Sequence, residues 1–228
     1  MTNIATTFQI GLCSRGSFGC VSGDSLSLCR SLIRRVCLKI GCAHGFFLAL
    51  AEKKFRFAEG IDISSDAAEY ARQTLGVNAA SSEFLTYELV KAPDVVCMWD
   101  TIEHLRRPDL YIEKIANSLP RGGVLALTTA DLDSWVARAR GSKWRQIHPP
   151  THLHYFSRKT LSKLLNRSGL EIKYMRSEGM YRRVETMAYI VLKHNRHDLY
   201  AHLQKTRLLN WDLYLNLGDI VFVVAEKV

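Results

Sequence analysis

The sequence predicts an α/β fold, a doubly wound, Rossmann-like and mostly parallel sheet. Three observations carry this. Short apolar runs alternate with segments of helical period from residue 35 to 175. The first run ends at Ile40 in the small-residue turn Gly41-Cys42-Ala43-His44-Gly45, and a second apolar run follows to Ala51. Strand, tight turn and helix in that order open a doubly wound sheet, and ligands of such sheets bind beyond the carboxyl ends of the strands. Finally, residues 95–99 form a wholly apolar run, which reads as a parallel strand buried on both faces.

The elements follow in chain order. Residues 1–23 show no clear period and read as an irregular lead-in; residues 24–228 read as one domain. After Asp24, the apolar residues Leu28, Cys29, Leu32 and Ile33 recur at helical spacing. The first strand falls at 35–40 and its helix at 44–53. A second strand spans 56–63; Ser64 caps a helix over 65–75, and Gly76 stops it. A short strand at 77–80 precedes an irregular stretch, 81–92. The strand at 95–99 leads to a helix at 108–119, whose Tyr111, Ile112, Ile115 and Leu119 share one face. Pro120-Arg121-Gly122-Gly123 is a turn before the strand at 124–129. Residues 131–156 are long and irregular, with Trp135, Trp144 and three histidines, and are expected to form a lid insert over an acceptor pocket. Ser157 caps the next helix, residues 170–175 form a strand, residues 181–210 look helical with a basic face, and residues 219–226 form the last strand.

Composition excludes several classes. Of 228 residues, 47% are hydrophobic, too many for disorder and enough for a sizeable core. No apolar run approaches a membrane span. Residues 1–23 lack the pattern of a secretory signal and the arginine content of a transit peptide, so a cytoplasmic protein is expected. The formal charge is +9, from 31 basic and 22 acidic residues spread along the chain. That spread favours a solvated basic surface over a nucleic-acid face, although an RNA or anionic substrate stays open. The cysteines at 13, 20, 29, 37, 42 and 97 include no Cys-x-x-Cys pair, so free thiols are the simplest account.

The turn Gly41-x-Ala43-x-Gly45 meets one of the three glycines of a dinucleotide fingerprint and two of the three of the S-adenosylmethionine pattern. A plain strand–helix turn would look similar. Asp62 adds weight: it stands at the end of the second predicted strand, where a carboxylate can accept from both ribose hydroxyls. The bland alternative is an Asp opening a turn before a capped helix.

Together with Met98-Trp99-Asp100-Thr101-Ile102-Glu103-His104-Leu105, the run from Leu119 to Thr129, His152-Leu153-His154-Tyr155-Phe156-Ser157 and Leu215-Asn216-Leu217-Gly218-Asp219, these segments resemble the class I S-adenosylmethionine-dependent methyltransferases. The nearest likeness is to the branch that includes ubiquinone-biosynthesis O-methyltransferases. The resemblance implies seven strands with the last antiparallel. It also implies that Gly41, Ala43 and Gly45 face the methionine part of the cofactor, Asp62 the ribose, Trp99 its middle, and the Ser81-Ser82-Glu83 loop the adenine.

This chain departs from the pattern. Lys39 stands where the family has an acidic residue, Ala43 replaces the middle glycine, and His44 takes a position usually small. Lysine reverses the charge beside a sulfonium, and Ala43 adds a methyl where backbone and ligand meet. Reverting both, Lys39→Asp with Ala43→Gly, is expected to tighten cofactor binding at least about tenfold.

Asp100, Glu103 and His104 sit at spacings of three and four, which a helical turn would bring together. The resemblance implies a divalent ion at such a cluster, where it would orient and acidify a hydroxyl. Alternatively His104 is a general base, or the acidic residues merely favour a helix N-terminus. His148, His152 and His154 do not have helical metal spacing and read as part of a packed loop. The expected function is methyl transfer to a small-molecule acceptor at oxygen. The alternatives are a binding or scaffold protein that has lost turnover, and an RNA methyltransferase. The sequence does not specify the acceptor or the oligomeric state.

Overall fold

The computed structural model describes residues 35–192, 200, 203 and 209–228. The lead-in, the helix expected after Asp24 and most of 193–208 lie outside the described residues.

Seven strands form one sheet: β1 (Val36–Ile40), β2 (Phe57–Asp62), β3 (Ala79–Ser81), β4 (Val95–Trp99), β5 (Val124–Ala130), β6 (Leu170–Ser177) and β9 (Ile220–Lys227). Their order is β3-β2-β1-β4-β5-β9-β6. β9 runs antiparallel to both β5 and β6; the pairings among β3, β2, β1, β4 and β5 are parallel. The helices are α1 (Phe46–Ala51), α2 (Ser65–Leu75), α3 (Pro108–Ser118), α4 (Trp135–Arg140), α5 (Arg158–Arg167) and α6 (Val184–Leu192).

The alternation of side chains along a strand divides the core into two layers. Leu38, Ile40, Val96, Met98, Leu125, Leu127, Val221 and Val223 pack with Ile112 and Ile115 of α3 and Leu161 and Leu165 of α5. On the other face, Cys37, Cys97, Ala126 and Phe222 pack with Leu48 of α1 and Ala71 of α2. Central strands buried on both sides explain the unbroken apolar runs that mark them in the sequence.

The caps are local and legible. Ser64 Oγ accepts from Ala67 N–H at the start of α2, and Gly76 closes it in the left-handed region. Ser157 and Thr160 form a reciprocal capping box on α5. Pro108 opens α3, where its missing N–H costs nothing.

Two expectations change. Residues 181–210 do not begin as helix: β7 (Met180–Arg183) pairs antiparallel with β8 (Asp212–Leu215), and only then does α6 start. That pairing joins segments distant in sequence, so periodicity gives no sign of it. Residues 102–104 form one 3-10 turn instead of an α-helical one.

Candidate active site at the carboxyl end of the sheet

The turn after β1 has the backbone its glycines suggest. Gly41 and Gly45 have φ of 68° and 80°, and Ala43 between them also has positive φ, 47°. A Cβ on Gly41 would stand 2.7 Å from Thr101 Oγ1, and one on Gly45 2.7 Å from Ala71 Cβ. Both positions are therefore closed to larger residues by packing as well as by φ. Gly41 and Cys42 N–H donate to Ile61 O at 2.8 and 3.1 Å, tying the turn to the end of β2.

Asp62 ends β2 and completes that tie. Its Oδ2 accepts from Ala43 N–H at 2.7 Å and its Oδ1 from Ser64 N–H at 2.9 Å. Trp99 ends β4 next to β1, half-buried, with Phe47 edge-on at 5.4 Å. Gly41, Ala43, Gly45, Asp62 and Trp99 thus gather at adjacent strand ends, since Ile40 pairs with both Ile61 and Met98. The neighbouring Glu83 does not extend free from its loop: its carboxylate accepts from Tyr111 O–H and from Leu85 N–H.

Lys39 does not turn to solvent. It is 3% exposed, and its Nζ donates to Ile40 O and Gly41 O, both at 2.7 Å. Burial lowers its pKa to about 8, against smaller opposing effects of Cys97, Cys42, Asp100 and Asp62. Burial likewise raises the Cys42 thiol to about 11.

Beyond β4 the expected Asp100–Glu103–His104 trio is regrouped. Asp100 has φ of 45°, and its Oδ1 accepts from Thr128 Oγ1 at 3.0 Å. The positive φ and the tight 3-10 turn replace the helical geometry that would have stacked it on Glu103 and His104. His152 joins this neighbourhood: one candidate ligand atom each of Glu103, His104 and His152 lies within 4.8 Å of the others, and Asp100 acts electrostatically on Glu103 and His152. Glu103 is 3% exposed and accepts from Thr129 Oγ1 at 2.9 Å. Burial raises its pKa; Asp100 adds to this, and the bonds from its own backbone and Thr129 oppose it. The rings of His104 and His152 meet edge-on at 4.7 Å. Burial and the neighbouring His104 lower the His152 pKa.

His152 reaches the site because the insert folds back. Asp131 and Phe156 bridge its two ends. Leu153 and His154 N–H both donate to Glu103 O, at 2.8 and 3.1 Å. Buried Trp144 donates from Nε1 to Asp219 Oδ2 at 3.1 Å, and Arg145 pairs with the same carboxylate. Burial pushes the Asp219 carboxyl up, but Arg145 and Trp144 outweigh it and hold it below the usual carboxylate range. Neither spacing nor period pointed to His152; the available signal was its sharing one loop with two further histidines. His148 does remain in that loop's own network, with Nδ1 at 2.7 Å from Thr151 Oγ1.

Comparisons with known proteins agree with this geometry. A family model described as a methyltransferase domain matches residues 19–174. No curated protein matches the sequence. Among solved structures, a SAM-dependent methyltransferase from Thermotoga maritima superposes with a TM-score of 0.58 at 18% identity, covering 89% of this chain and 87% of the other. A SAM-dependent methyltransferase from Archaeoglobus fulgidus gives 0.58 at 18% identity, covering 89% and 91%. An S-adenosylmethionine-dependent methyltransferase from Mesorhizobium loti gives 0.57 at 14% identity, covering 90% and 99%. At such identities the likeness is one of fold. Among the described residues no helix is long and apolar enough to cross a membrane.

Proposed function

Because the chain belongs to the methyltransferase domain family, we propose that it transfers the methyl group of S-adenosylmethionine to the oxygen of a small-molecule acceptor. The observation that carries the acceptor half of this reading is the grouping of Glu103, His104 and His152 beyond β4, one strand from the glycine turn.

The residues present fit the cofactor. Asp62 offers a half-exposed carboxylate at the end of β2, suited to a ribose diol. Gly41 and Gly45 supply the positive φ that curls the turn at the strand end, where its backbone can approach a ligand closely. Trp99 supplies an apolar wall. The bound cofactor supplies an activated methyl on a good leaving group, so the protein's task is proximity, alignment and exclusion of water.

The residues of the chain handle the proton. His104 Nδ1 lies 2.7 Å from Thr151 O, a contact that requires Nδ1–H as donor and leaves Nε2 as the basic nitrogen. An acceptor hydroxyl beside it gives its proton to Nε2 as the new C–O bond forms. The insert, held by Asp219 and by the Glu103 carbonyl, roofs this side. Cytoplasmic placement and a small-molecule partner belong to the same reading.

A chain that binds cofactor without turnover is the competing reading, motivated by Lys39 and by the strained Ala43. The test is transfer of labelled methyl from S-adenosylmethionine into a metabolite extract, with cofactor binding measured by calorimetry. Labelled product supports the enzyme; binding without product supports the scaffold. Label entering RNA instead, with salt-dependent binding, would replace the small-molecule acceptor.

A further inference from the structure

We propose that Tyr111 of α3 is a positioning residue for base recognition: its hydroxyl holds one oxygen of the Glu83 carboxylate and leaves the other for the exocyclic amine of the cofactor's adenine. This deepens the cofactor half of the functional reading and rests on it.

The sheet order sets the place. The glycine turn follows β1, Asp62 ends β2, and β3 lies outside β2. A cofactor with its methionine part on the turn and its ribose at Asp62 therefore carries its base toward the end of β3. Asp62 pairs with Ser81, and Ser82 N–H donates to Asp62 O at 2.9 Å. Glu83 is the next residue along a backbone already tied to that strand end.

The segment after β3 is a firm mount. Thr86 and Tyr87 N–H donate to Glu83 O at 3.2 and 3.1 Å, closing one turn. Phe84 is buried, with its ring centroid 5.4 Å from that of Tyr111. Tyr87 O–H donates to buried Glu59 at 2.6 Å. Lys114 Nζ donates to Phe84 O, Leu85 O and Tyr87 O at 2.7, 3.0 and 2.7 Å. An ammonium has three donors, so Lys114 has none left to neutralise Glu83.

The carboxylate is engaged on one side. Glu83 Oε1 accepts from Tyr111 O–H and, at 3.3 Å, from Leu85 N–H. Oε2 accepts from none of the described residues. Burial raises the Tyr111 pKa and the Glu83 carboxylate adds to this, so the hydroxyl keeps its proton and donates. An ionised carboxylate can only accept. Its second oxygen therefore suits an amine and repels the carbonyl oxygen that hypoxanthine carries in the same place. Holding Oε1 beforehand also removes rotamer freedom that binding would otherwise have to freeze.

The experiment is calorimetry on the full chain with S-adenosylhomocysteine and with its hypoxanthine counterpart, S-inosylhomocysteine. The parent should bind the adenine ligand at least about tenfold tighter. Phenylalanine keeps the ring in the core, so Tyr111→Phe removes the hydroxyl alone. In that variant the ratio should fall at least about threefold, with the hypoxanthine ligand within about twofold of its parent affinity. Glu83→Gln should bring the ratio close to one, because an amide can donate to the carbonyl as well as accept from the amine. Circular dichroism checks that each variant folds. A merely structural Tyr111 would weaken both ligands alike and leave the ratio unmoved, which overturns the assignment. So does a Glu83→Gln variant that discriminates as the parent does. A parent that binds both ligands equally keeps the cofactor reading and removes the roles of Glu83 and Tyr111; a chain that binds neither removes the cofactor reading and these roles with it.

Discussion

Lys39 Nζ donates to the carbonyl oxygen of Gly41 at 2.7 Å, so this buried amine belongs to the framework of the glycine turn. A second bond to Ile40 O fixes it further. The lysine therefore ties down two carbonyls at the strand end, and its removal affects the backbone before it affects any ligand.

The buried lysine should leave a pH signature. Its folded pKa, about 8, is below the ordinary 10.5. Below about pH 8 both folded and unfolded chains hold the proton, and folding bears the full cost of burying the charge. Between about 8 and 10.5 the unfolded chain binds more protons, so stability rises with pH. Relative to Lys39→Met, the parent should gain up to about 3 kcal/mol across that window. Urea unfolding of both proteins at pH 7 and 10 measures this; burial raises the Cys42 thiol to about 11 from an ordinary 9.0, which opposes the trend above pH 9 but is common to both proteins and cancels in their difference. A difference that stays flat would mean that the amine is solvated.

Ala43 is where a glycine should help. With φ of 47°, alanine bears strain of about 1 kcal/mol, and Ala43→Gly should stabilise the fold by a comparable amount. The paired reversion expected from sequence is now split. Lys39→Asp leaves Ile40 O and Gly41 O without their donor and buries a carboxylate against them. Ala43→Gly alone should tighten S-adenosylmethionine binding, and the double variant should not exceed it. Calorimetry on the three proteins decides; a double variant that binds tightest would restore the charge-repulsion view.

Asp62→Ala should reduce cofactor affinity by about 10- to 100-fold, on the order of 1.5–3 kcal/mol for charge-assisted bonds. The same change frees Ala43 N–H, which lies at an exposed position and can turn to water. Global stability should therefore fall much less than affinity. Equal cofactor binding by parent and variant would remove Asp62 from the site.

Trp144→Ala should cost about 3–5 kcal/mol, since the ring is almost fully buried and its Nε1–H bonds Asp219. Loss of that anchor should also loosen the loop bearing His152. Hydrogen exchange at the Leu153 and His154 amides, which now donate to Glu103 O, would report it. Protection unchanged in the folded variant would show that the two ends of the insert are independent.

What the sequence reveals here is what is local. The glycine turn, Asp62 at its strand end, Ser64 and Ser157 as caps, and the apolar strands all depend on neighbours within a few residues. The likeness to a known family added the antiparallel last strand, which local pattern alone does not specify. His152, the β7–β8 ladder and the inward course of Lys39 depend on contacts made only after the chain has folded. Asp100 shows the limit from the other side: spacing gives its place in the segment but not its positive φ, nor the hydroxyl of Thr128 that its carboxylate meets.

The bridge between Asp131 and Phe156 brings both ends of residues 132–155 to one point of the frame. A segment whose ends already meet can change in length at little entropic cost, because loop closure grows only slowly with length, provided that the replacement keeps the Trp144 anchor on Asp219. On the proposed reading, the cofactor residues lie on the strand ends and His152 lies on the exchangeable piece, so a change of this cassette would alter the acceptor side and leave the cofactor side as it is.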